Sequence, residues 1–311
     1  MTSRTAQPSR KHDERNRFVW RLKSRSLVLG ERTLLMGILN VTPDSFFEKG
    51  EHFDHKKAVE HGLHLFEQGA DILDIGGEST RPGTPVAHPG AVPEGEELQR
   101  ILPVLEGVLK CRRGAIISVD TYKSCVAKAA IEAGAEIVND VSGGRWDEAM
   151  LKTMAALDCG VVLSHSRGRP QEWKSLPRER EIVALVAREL GESVQQATTA
   201  GVQRARVVVD PGFGFGKGFD ENYTLLAHLA EFSHLDLPLL VGTSRKGFIG
   251  KTLLRVNESG AAEDTPPQER LYGTIATVTA CILQGAHVVR VHDVRAARDA
   301  ALVADEILRA Q

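Results

Sequence analysis

The stretch Ile72-Leu-Asp-Ile-Gly-Gly-Glu-Ser-Thr-Arg-Pro-Gly83 decides the fold of this chain. It begins as a short apolar run with one acid, which is typical of a strand buried on both faces of a parallel sheet. The run breaks at Gly76-Gly77, and four polar residues follow at positions 78–81. A plain loop between a strand and a helix needs one capping residue, such as Ser79 or Thr80. Four polar side chains directly after a buried strand favour a binding loop.

Short apolar runs of this kind recur along the chain and alternate with helix-like segments. The predicted strands span residues 33–39, 71–75, 115–119, 136–138, 161–163, 206–209, 238–241 and 287–291. The predicted helices lie near residues 55–69, 95–110, 122–133, 147–158, 178–200, 220–231, 268–284 and 293–310. Strict alternation of strand and helix implies parallel strands joined by right-handed crossovers. Eight such units predict an α/β fold of the (β/α)₈ TIM-barrel type, with a doubly wound open sheet as the alternative.

The 311 residues, of which 42% are hydrophobic, suit one large domain or two small ones, and the formal net charge is −2. Neither value indicates a nucleic-acid or membrane partner. No apolar run approaches the roughly 20 residues that span a bilayer, and no apolar signal core stands at the start. The four cysteines, at positions 111, 125, 159 and 281, fit no zinc-site spacing. We therefore expect a cytoplasmic protein with reduced thiols.

The first 25 residues differ from the rest of the chain, because eight basic and two acidic residues give them a net charge of +6. Apolar residues are few there, and this composition predicts a disordered tail. The expected organisation is a basic tail at residues 1–25 and one domain at residues 26–311. A hairpin turning at Gly30-Glu31 is expected to close the floor of the barrel.

A barrel places its active site at the carboxyl ends of its strands. The residues at these ends form a ring of carboxylates, amides and cations, namely Asn40, Asp74, Asp120, Asn139, His165, Asp210, Ser244, Arg245, Lys246 and His292. Asp74 is expected to point into the barrel layers. Several members also have a purely structural interpretation, because Asp120 could cap a helix and His165 could be a core histidine.

The glycine-rich stretch at residues 212–218, Gly-Phe-Gly-Phe-Gly-Lys-Gly, suggests a phosphate loop at first sight. It fits neither the Walker spacing nor the dinucleotide-binding spacing. We interpret it as a flexible loop after a strand, with Phe215 and Lys217 as candidate ligand contacts at the rim.

Several motifs resemble loops of the dihydropteroate synthase family of the folate pathway. They are Glu78-Ser-Thr-Arg-Pro-Gly83, Asn40-Val-Thr-Pro-Asp-Ser-Phe46, Ser244-Arg-Lys246 and Arg290-Val-His-Asp293. The resemblance runs from about residue 34 to the C-terminus. It implies a pterin-binding catalytic domain that joins 6-hydroxymethyl-7,8-dihydropterin pyrophosphate to p-aminobenzoate. The products are 7,8-dihydropteroate and pyrophosphate, formed by an SN1-like substitution in which carbon–oxygen cleavage precedes attack.

The resemblance also implies a role for each matching residue. Pterin binding falls to Asp120, Asn139, Asp210, Arg245 and Lys246. Pyrophosphate binding falls to Asn40, Arg290 and His292, with Asn40 as the ligand of a Mg²⁺ cofactor. Binding of p-aminobenzoate falls to Phe46, Thr80, Arg81, Pro82 and Ser244, which would also make the site a sulfonamide target. Catalytic roles fall to Asp44, Arg81, Asp120 and Lys246.

The chain departs from the family pattern at two places, Phe47-Glu-Lys49 and the serines at positions 164 and 166. These departures leave a non-catalytic pterin-binding relative as an alternative. A second alternative is a barrel that transfers a methyl group from methyltetrahydrofolate to a corrinoid, although such a barrel would not need the Ser-Thr-Arg-Pro-Gly motif. The helix near 268–284 is apolar around most of its circumference, so we expect a homodimer, as in the family.

Overall fold

The computed structural model describes residues 15–42, 54–80, 83–86, 90–256 and 262–310. The strands within those residues are β1 (Phe18–Arg21), β2 (Ser26–Leu29), β3 (Leu34–Asn40), β4 (Ile72–Gly76), β5 (Ile117–Asp120), β6 (Ile137–Asp140), β7 (Gly160–Ser164), β8 (Val207–Asp210), β9 (Leu240–Val241), β10 (Arg255–Val256), β11 (Ala262–Glu263) and β12 (Val288–Val291). The α-helices are α1 (His55–Glu67), α2 (Glu94–Cys111), α3 (Ser124–Glu132), α4 (Met150–Leu157), α5 (Ile182–Thr199), α6 (Phe219–Ala227), α7 (Gly247–Thr252), α8 (Leu271–Leu283) and α9 (Val294–Arg309).

Eight of these strands run parallel around a barrel in the order β3, β4, β5, β6, β7, β8, β9 and β12. The strand β3 pairs with both β4 and β12, so the first and last barrel strands are neighbours. A bridge between Val209 and Leu239 joins β8 to the residue before β9 and closes the ring. The predicted TIM barrel is confirmed, and each predicted strand bound lies within two residues of the observed bound.

The barrel strands are buried on both faces, which explains their nearly continuous apolar sequences. All five residues of β4 are buried, for example. Side chains that point inward near the floor, including Met36, Ile137 and Val162, form one apolar cluster. Side chains that point outward pack under the helices in a second, larger cluster. No helix in the described part of the chain is long and apolar enough to cross a membrane.

The floor of the barrel is covered by a hairpin, as expected, but its first strand lies in the segment predicted to be a disordered tail. Strand β1 pairs antiparallel with β2, and Trp20 and Leu22 are buried in the inner cluster. The indole Nε1 of Trp20 donates to the carbonyl oxygen of Arg206 at 2.8 Å. The domain boundary therefore lies earlier than predicted, because residues 15–25 belong to the barrel. Residues 1–14 lie outside the described residues.

The net charge of this segment wrongly predicted disorder, because two of its basic residues form ion pairs with acids of the barrel. Arg15 contacts Asp305 at 2.5 Å, with both side chains buried, and Arg25 contacts Glu136 at 3.1 Å. The turn of the hairpin lies between Arg21, where β1 ends, and Ser26, where β2 begins, and so comes before the predicted turn at Gly30. Gly30 instead leads from β2 towards the barrel at φ +101°, where an added Cβ would lie 2.5 Å from the carbonyl oxygen of Asn16.

The floor hairpin offers a test with a matched control, because neighbouring residues of β1 face opposite sides. Trp20→Ala should lower the free energy of unfolding by about 3–5 kcal/mol, since it opens a cavity in a close-packed cluster. Val19→Ala should lower it by less than about 0.5 kcal/mol, because the Val19 side chain is 57% exposed. Urea denaturation measures both values, and equal losses would show that the hairpin is not part of the cooperative core.

Candidate active site

The polar residues at the strand ends come together at one mouth of the barrel, as predicted. Asn40 ends β3, Asp120 ends β5 and Asp210 ends β8, while Asn139 lies one residue before the end of β6. The segment 244–246 joins β9 to α7, and His292 directly follows β12. Four predicted site residues, Asp44, Phe46, Arg81 and Pro82, lie outside the described residues, as does the departure at positions 47–49.

Arg290 is the central cation of the mouth, and two carboxylates share it. Its Nε donates to Asp74 Oδ2 and its Nη2 donates to Asp120 Oδ2, both at 2.6 Å. Asn139 Nδ2 donates to the same oxygen of Asp74 at 3.1 Å. Asp74 is fully buried inside the barrel, as expected from the sequence. The ion pair of Asp74 with Arg290 was not predicted from the sequence. An acid and an arginine within two apolar strands are nevertheless a signal for such a buried pair.

Burial sets the protonation properties of the mouth. It raises the pKa of Asp120 to about 7; the charges of Asp74 and Glu97 add to the rise, and Arg290 opposes it. Burial also lowers the pKa of Lys246 to about 8, with Arg290 adding to the fall. Both groups would gain from a ligand, because hydrogen bonds or opposite charges would replace the solvation that they have lost.

Asp210 is the second buried carboxylate of the mouth. Its Oδ1 accepts the backbone N–H of Gly212 at 2.8 Å, and its Oδ2 accepts the Ser164 hydroxyl at 3.4 Å. Burial raises the pKa of this carboxyl as well. Ser164, one of the two departures from the family pattern, thus contacts a site residue. Ser166 donates instead to the carbonyl oxygen of Gly168.

Two pairs of side chains join the segment after β9 to the segment after β12, namely Ser244 with His292 and Arg245 with Asp293. Ser244 Oγ lies 3.0 Å from His292 Nδ1 and also accepts the backbone N–H of His292. Burial lowers the pKa of His292 to about 3, and Arg290 adds to the fall, so the imidazole is neutral at pH 7. Arg245 stands at φ +58° and makes a two-pronged contact with Asp293, at 3.0 and 2.6 Å. Its guanidinium is therefore turned towards Asp293 in this structure.

His165 is the member of the predicted ring that serves a structural purpose. Its side chain is buried, and its Nε2 lies 3.0 Å from Glu189 Oε2 on the outer helix α5. Burial lowers the pKa of His165 to about 3, and the charge of Lys217 adds to the fall. The imidazole is neutral and fastens the end of β7 to α5, which agrees with the core-histidine interpretation.

The described residues include no group of three or more His, Cys, Asp or Glu side chains that could hold a metal. Asn40, half-buried at the end of β3, offers one neutral carboxamide oxygen to the mouth. Such an oxygen suits magnesium, which usually takes its remaining ligands from water and substrate phosphates.

Comparison with known proteins shows which family the chain resembles. Residues 36–292 match the pterin binding enzyme family. The dihydropteroate synthase of Bacillus subtilis is 42% identical over 286 residues, which cover 92% of each chain. A solved structure of the Xanthomonas albilineans dihydropteroate synthase with 4-aminobenzoic acid has a TM-score of 0.82 at 41% identity and covers 94% of this chain and 98% of that one. A Yersinia pestis dihydropteroate synthase, solved with a sulfonamide drug, has a TM-score of 0.83 at 36% identity and covers 94% and 100%.

The chain belongs to the dihydropteroate synthase family.

Family membership makes this chain a transferase of folate biosynthesis, because the matched dihydropteroate synthases correspond to it over nearly their whole length. The predicted family, fold and activity are therefore confirmed. The two alternatives, a non-catalytic pterin-binding relative and a methyltransferase barrel, are not favoured. The individual roles assigned to the site residues stay predictions.

The glycine-rich loop of this dihydropteroate synthase chain differs from its interpretation as a flexible loop. The Nζ of Lys217 donates to three backbone carbonyl oxygens, those of His165, Gly212 and Phe215, at 2.8–3.2 Å. Asn222 accepts the N–H of Gly214 and donates to the carbonyl of Lys217. Lys217 is only 8% exposed, and burial lowers its pKa well below the usual range. The loop is held from within and Lys217 is not at the rim.

The tied loop sets one wall of the mouth. The ammonium of Lys246 lies 3.7 Å from the centre of the Phe215 ring, within range of a cation–π interaction. At Gly212, where φ is +68°, an added Cβ would lie 1.9 Å from the carbonyl oxygen of His165. Glycine is required there because the loop passes directly against β7. Lys217 thus acts on the site through the backbone that carries Phe215.

Lys217→Ala should destabilise the fold, because three carbonyl oxygens would lose their donor in a buried place. We expect a loss of about 3–5 kcal/mol of unfolding free energy, since each unsatisfied buried group costs about 1–3 kcal/mol. Lys152→Ala on the exposed face of α4 is the control and should change it by less than about 0.5 kcal/mol. Thermal or urea unfolding measures both, and an unchanged Lys217→Ala stability would return this lysine to the solvated rim.

Proposed function

We propose that this mouth condenses 6-hydroxymethyl-7,8-dihydropterin pyrophosphate with p-aminobenzoate to give 7,8-dihydropteroate. The observation that carries the proposal is a pair of carboxylates at the mouth, the partly buried Asp120 and the buried Asp210, with the ammonium of Lys246 close enough to influence both. A pterin edge presents a ring N–H beside an amino group, and a carboxylate accepts such neighbouring donors in a fork. Asn139 would accept or donate at the same edge.

The charges of the mouth favour departure of the pyrophosphate before attack. Arg290 is cationic at any working pH, because the carboxylates beside it raise its already high pKa. It lies beside His292, and both would face the leaving oxygens in the role that the family resemblance gives them. The carbon–oxygen bond breaks first, and the pterin ring shares the positive charge of the remaining methylene. The amine nitrogen of p-aminobenzoate then forms the new carbon–nitrogen bond and loses a proton. Catalysis of this kind rests on position and electrostatics.

The benzoate would bind beside the loop that follows β4. Thr80 and Ser244 are the described residues with this assignment, and Phe46, Arg81 and Pro82 join them from the family resemblance. The Xanthomonas relative holds 4-aminobenzoic acid and the Yersinia relative holds a sulfonamide, which supports a benzoate and sulfonamide site in this chain. Asp44 and Arg81 keep their proposed catalytic roles. Arg245 would have to leave Asp293 in order to close over the pterin.

Magnesium is the proposed cofactor, and the donor set of the mouth fits it. Asn40 would bind it as a protein ligand, and the pyrophosphate and water would complete its oxygen shell. When bound, the ion would draw negative charge from the departing pyrophosphate. Arg290 and His292 would stabilise the same charge from β12, the strand next to β3.

A homodimer is proposed from the outer surface of α8 and α9, two helices that pack side by side. Tyr272 is 86% exposed on α8, and Leu302 and Val303 are more than half exposed on α9. Adjacent exposed apolar side chains of this kind support a protein interface. A cytoplasmic location is proposed because all four cysteines are free thiols, which suits a reducing compartment.

A turnover assay with both substrates tests the proposed reaction, and Asp210→Asn tests the pocket. Asparagine keeps the size but turns a donor towards the pterin edge, so kcat/KM for the pterin substrate should fall by at least about tenfold. Asp220→Asn is the control, because Asp220 is exposed on α6 and pairs only with the exposed Arg178 among the described contacts. Its kcat/KM should change by less than about twofold. Wild-type enzyme without turnover, or an Asp210→Asn variant as efficient as wild type, would contradict the proposal.

Asn40→Ala tests the magnesium site. The magnesium concentration that supports half-maximal turnover should rise by about tenfold or more, because the variant removes a protein ligand of the ion. Asn40→Asp keeps an oxygen ligand and should not raise that concentration. An Asn40→Ala enzyme with unaltered magnesium dependence would place the ion elsewhere, and turnover that persists in a chelator would remove magnesium from the proposal.

A further inference from the structure

A buried lysine joins the two ends of the loop between β4 and α2. Lys123 Nζ donates to the carbonyl oxygen of Val92 at 2.6 Å and to Glu97 Oε2 at 2.6 Å. Its third contact is Glu78 Oε2 at 2.8 Å. The other oxygen of Glu78 accepts the backbone N–H of Val92 at 3.0 Å. We call these four residues, Glu78, Val92, Glu97 and Lys123, the Lys123 clamp.

The charged side chains of the clamp are almost completely buried. The side chains of Lys123, Glu78 and Glu97 are 9%, 4% and 1% exposed. Two of the oxygen atoms, those of Val92 and Glu97, accept hydrogen bonds from the ammonium, and Glu78 Oε2 is an ion-pair partner at 2.8 Å. One carboxylate is in excess, and the amino end of α2, which carries Glu97 in its first turn, favours negative charge there.

A buried charge cluster is a costly way to stabilise a core, because well-packed apolar residues of the same volume often do as well or better. What this cluster adds is geometric. Glu78 stands directly after β4 and Gly77, whereas Val92 lies two residues before α2. The clamp brings these two points together at the foot of the loop. Arg100 strengthens the foot by donating to the carbonyl oxygen of Gly77 at 2.6 Å.

Lys123 ties the β4–α2 loop to the side of the mouth that is assigned to the pterin. Lys123 lies three residues after Asp120, on the turn between β5 and α3. The same turn therefore carries a proposed pterin ligand and the cation that fixes the neighbouring loop. Thr80 leaves the clamp two residues after Glu78 and leads into the remaining loop residues assigned to p-aminobenzoate. The distance between the two substrates is thus set partly by Lys123.

We propose that Lys123 is a positioning residue for p-aminobenzoate, which it serves by holding both ends of the β4–α2 loop through Glu78 and Val92. The inference rests on the proposed function, since it presupposes that this loop binds the benzoate. Lys123 does not touch either substrate. Its loss should therefore weaken benzoate binding while the pterin pocket keeps its affinity, because Asp120 is held by Arg290 and the other proposed pterin ligands stand on or after later strands.

Two variants test the clamp from opposite sides. Lys123→Met keeps the length of the side chain and removes the cation. Glu78→Gln keeps the acceptor for Val92 and turns an amide towards Lys123, while the remaining Glu97–Lys123 pair is neutral overall, so this variant is the one less prone to misfold. For each, KM for p-aminobenzoate should rise by at least about tenfold, and the inhibition constant of a sulfonamide should rise in parallel. KM for the pterin substrate should change by less than about twofold.

Lys128→Met is the matched control, because Lys128 lies on the adjoining helix α3 in an exposed pair with Glu132. It should leave both KM values unchanged. Lys123→Arg restores the charge and should bring KM for p-aminobenzoate closer to wild type than Lys123→Met does. If Lys123→Met fails to fold, Glu78→Gln decides the question alone.

Equal changes in the two KM values, or unchanged KM values with a loss of stability alone, would overturn the inference and leave the clamp as a structural ion cluster. A wild-type enzyme that makes no dihydropteroate would instead overturn the proposed function, so the two failures are distinguishable.

Discussion

The mouth of this barrel depends on the shared ion pair that Arg290 makes with Asp74 and Asp120. Three charged groups from three strands meet in the barrel interior, where an unpaired charge would cost several kcal/mol. Each group is tolerable only because the others are in place. Removing Arg290 would leave the fully buried Asp74 and the partly buried Asp120 without the cation that pairs them. The positions of β4, β5 and β12 at the mouth are therefore fixed by chemistry that the apolar contacts below cannot supply.

Two lysines hold loops around the mouth in a similar way, because each brings one basic side chain to several buried oxygen acceptors. Lys217 gathers three backbone carbonyls of the glycine-rich loop and the end of β7, and Lys123 joins the two ends of the loop after β4. Loops are ordinarily the least constrained parts of a barrel. Here buried lysines hold the glycine-rich loop and the two ends of the loop after β4 in place before a ligand arrives. Such preorganisation is what an electrostatic mechanism needs, because no reorganisation then opposes charge development in the reaction.

The barrel and the members of its mouth could be predicted because their signals are local. A short apolar run that ends in a polar residue marks a buried strand and its carboxyl end, and β3 and β8 both follow this rule. The floor hairpin, the burial of Lys217 and the Lys123 clamp depend on partners far away in the chain. Lys217 reaches back to residue 165, and Arg15 reaches forward to residue 305. Composition and short motifs report such residues as solvated, because nothing in their immediate surroundings reveals the distant acceptor.

The mouth remains incomplete in one respect, and this explains how it can select its substrate. The buried Asp210 and the partly buried Asp120 have raised pKa values, and the partly buried Lys246 has a lowered one. The pKa of each group is shifted in the direction that disfavours its charged form, so the protein alone does not compensate these groups for their lost solvation. A ligand with two adjacent N–H donors and a carbonyl acceptor would supply what they lack. A ligand without them would leave buried polar groups unpaired, and sites built in this way reject such analogues by a larger factor than an apolar pocket can. If these groups bind the pterin as proposed, the cost of burying their charges in the fold is the origin of the specificity of the site.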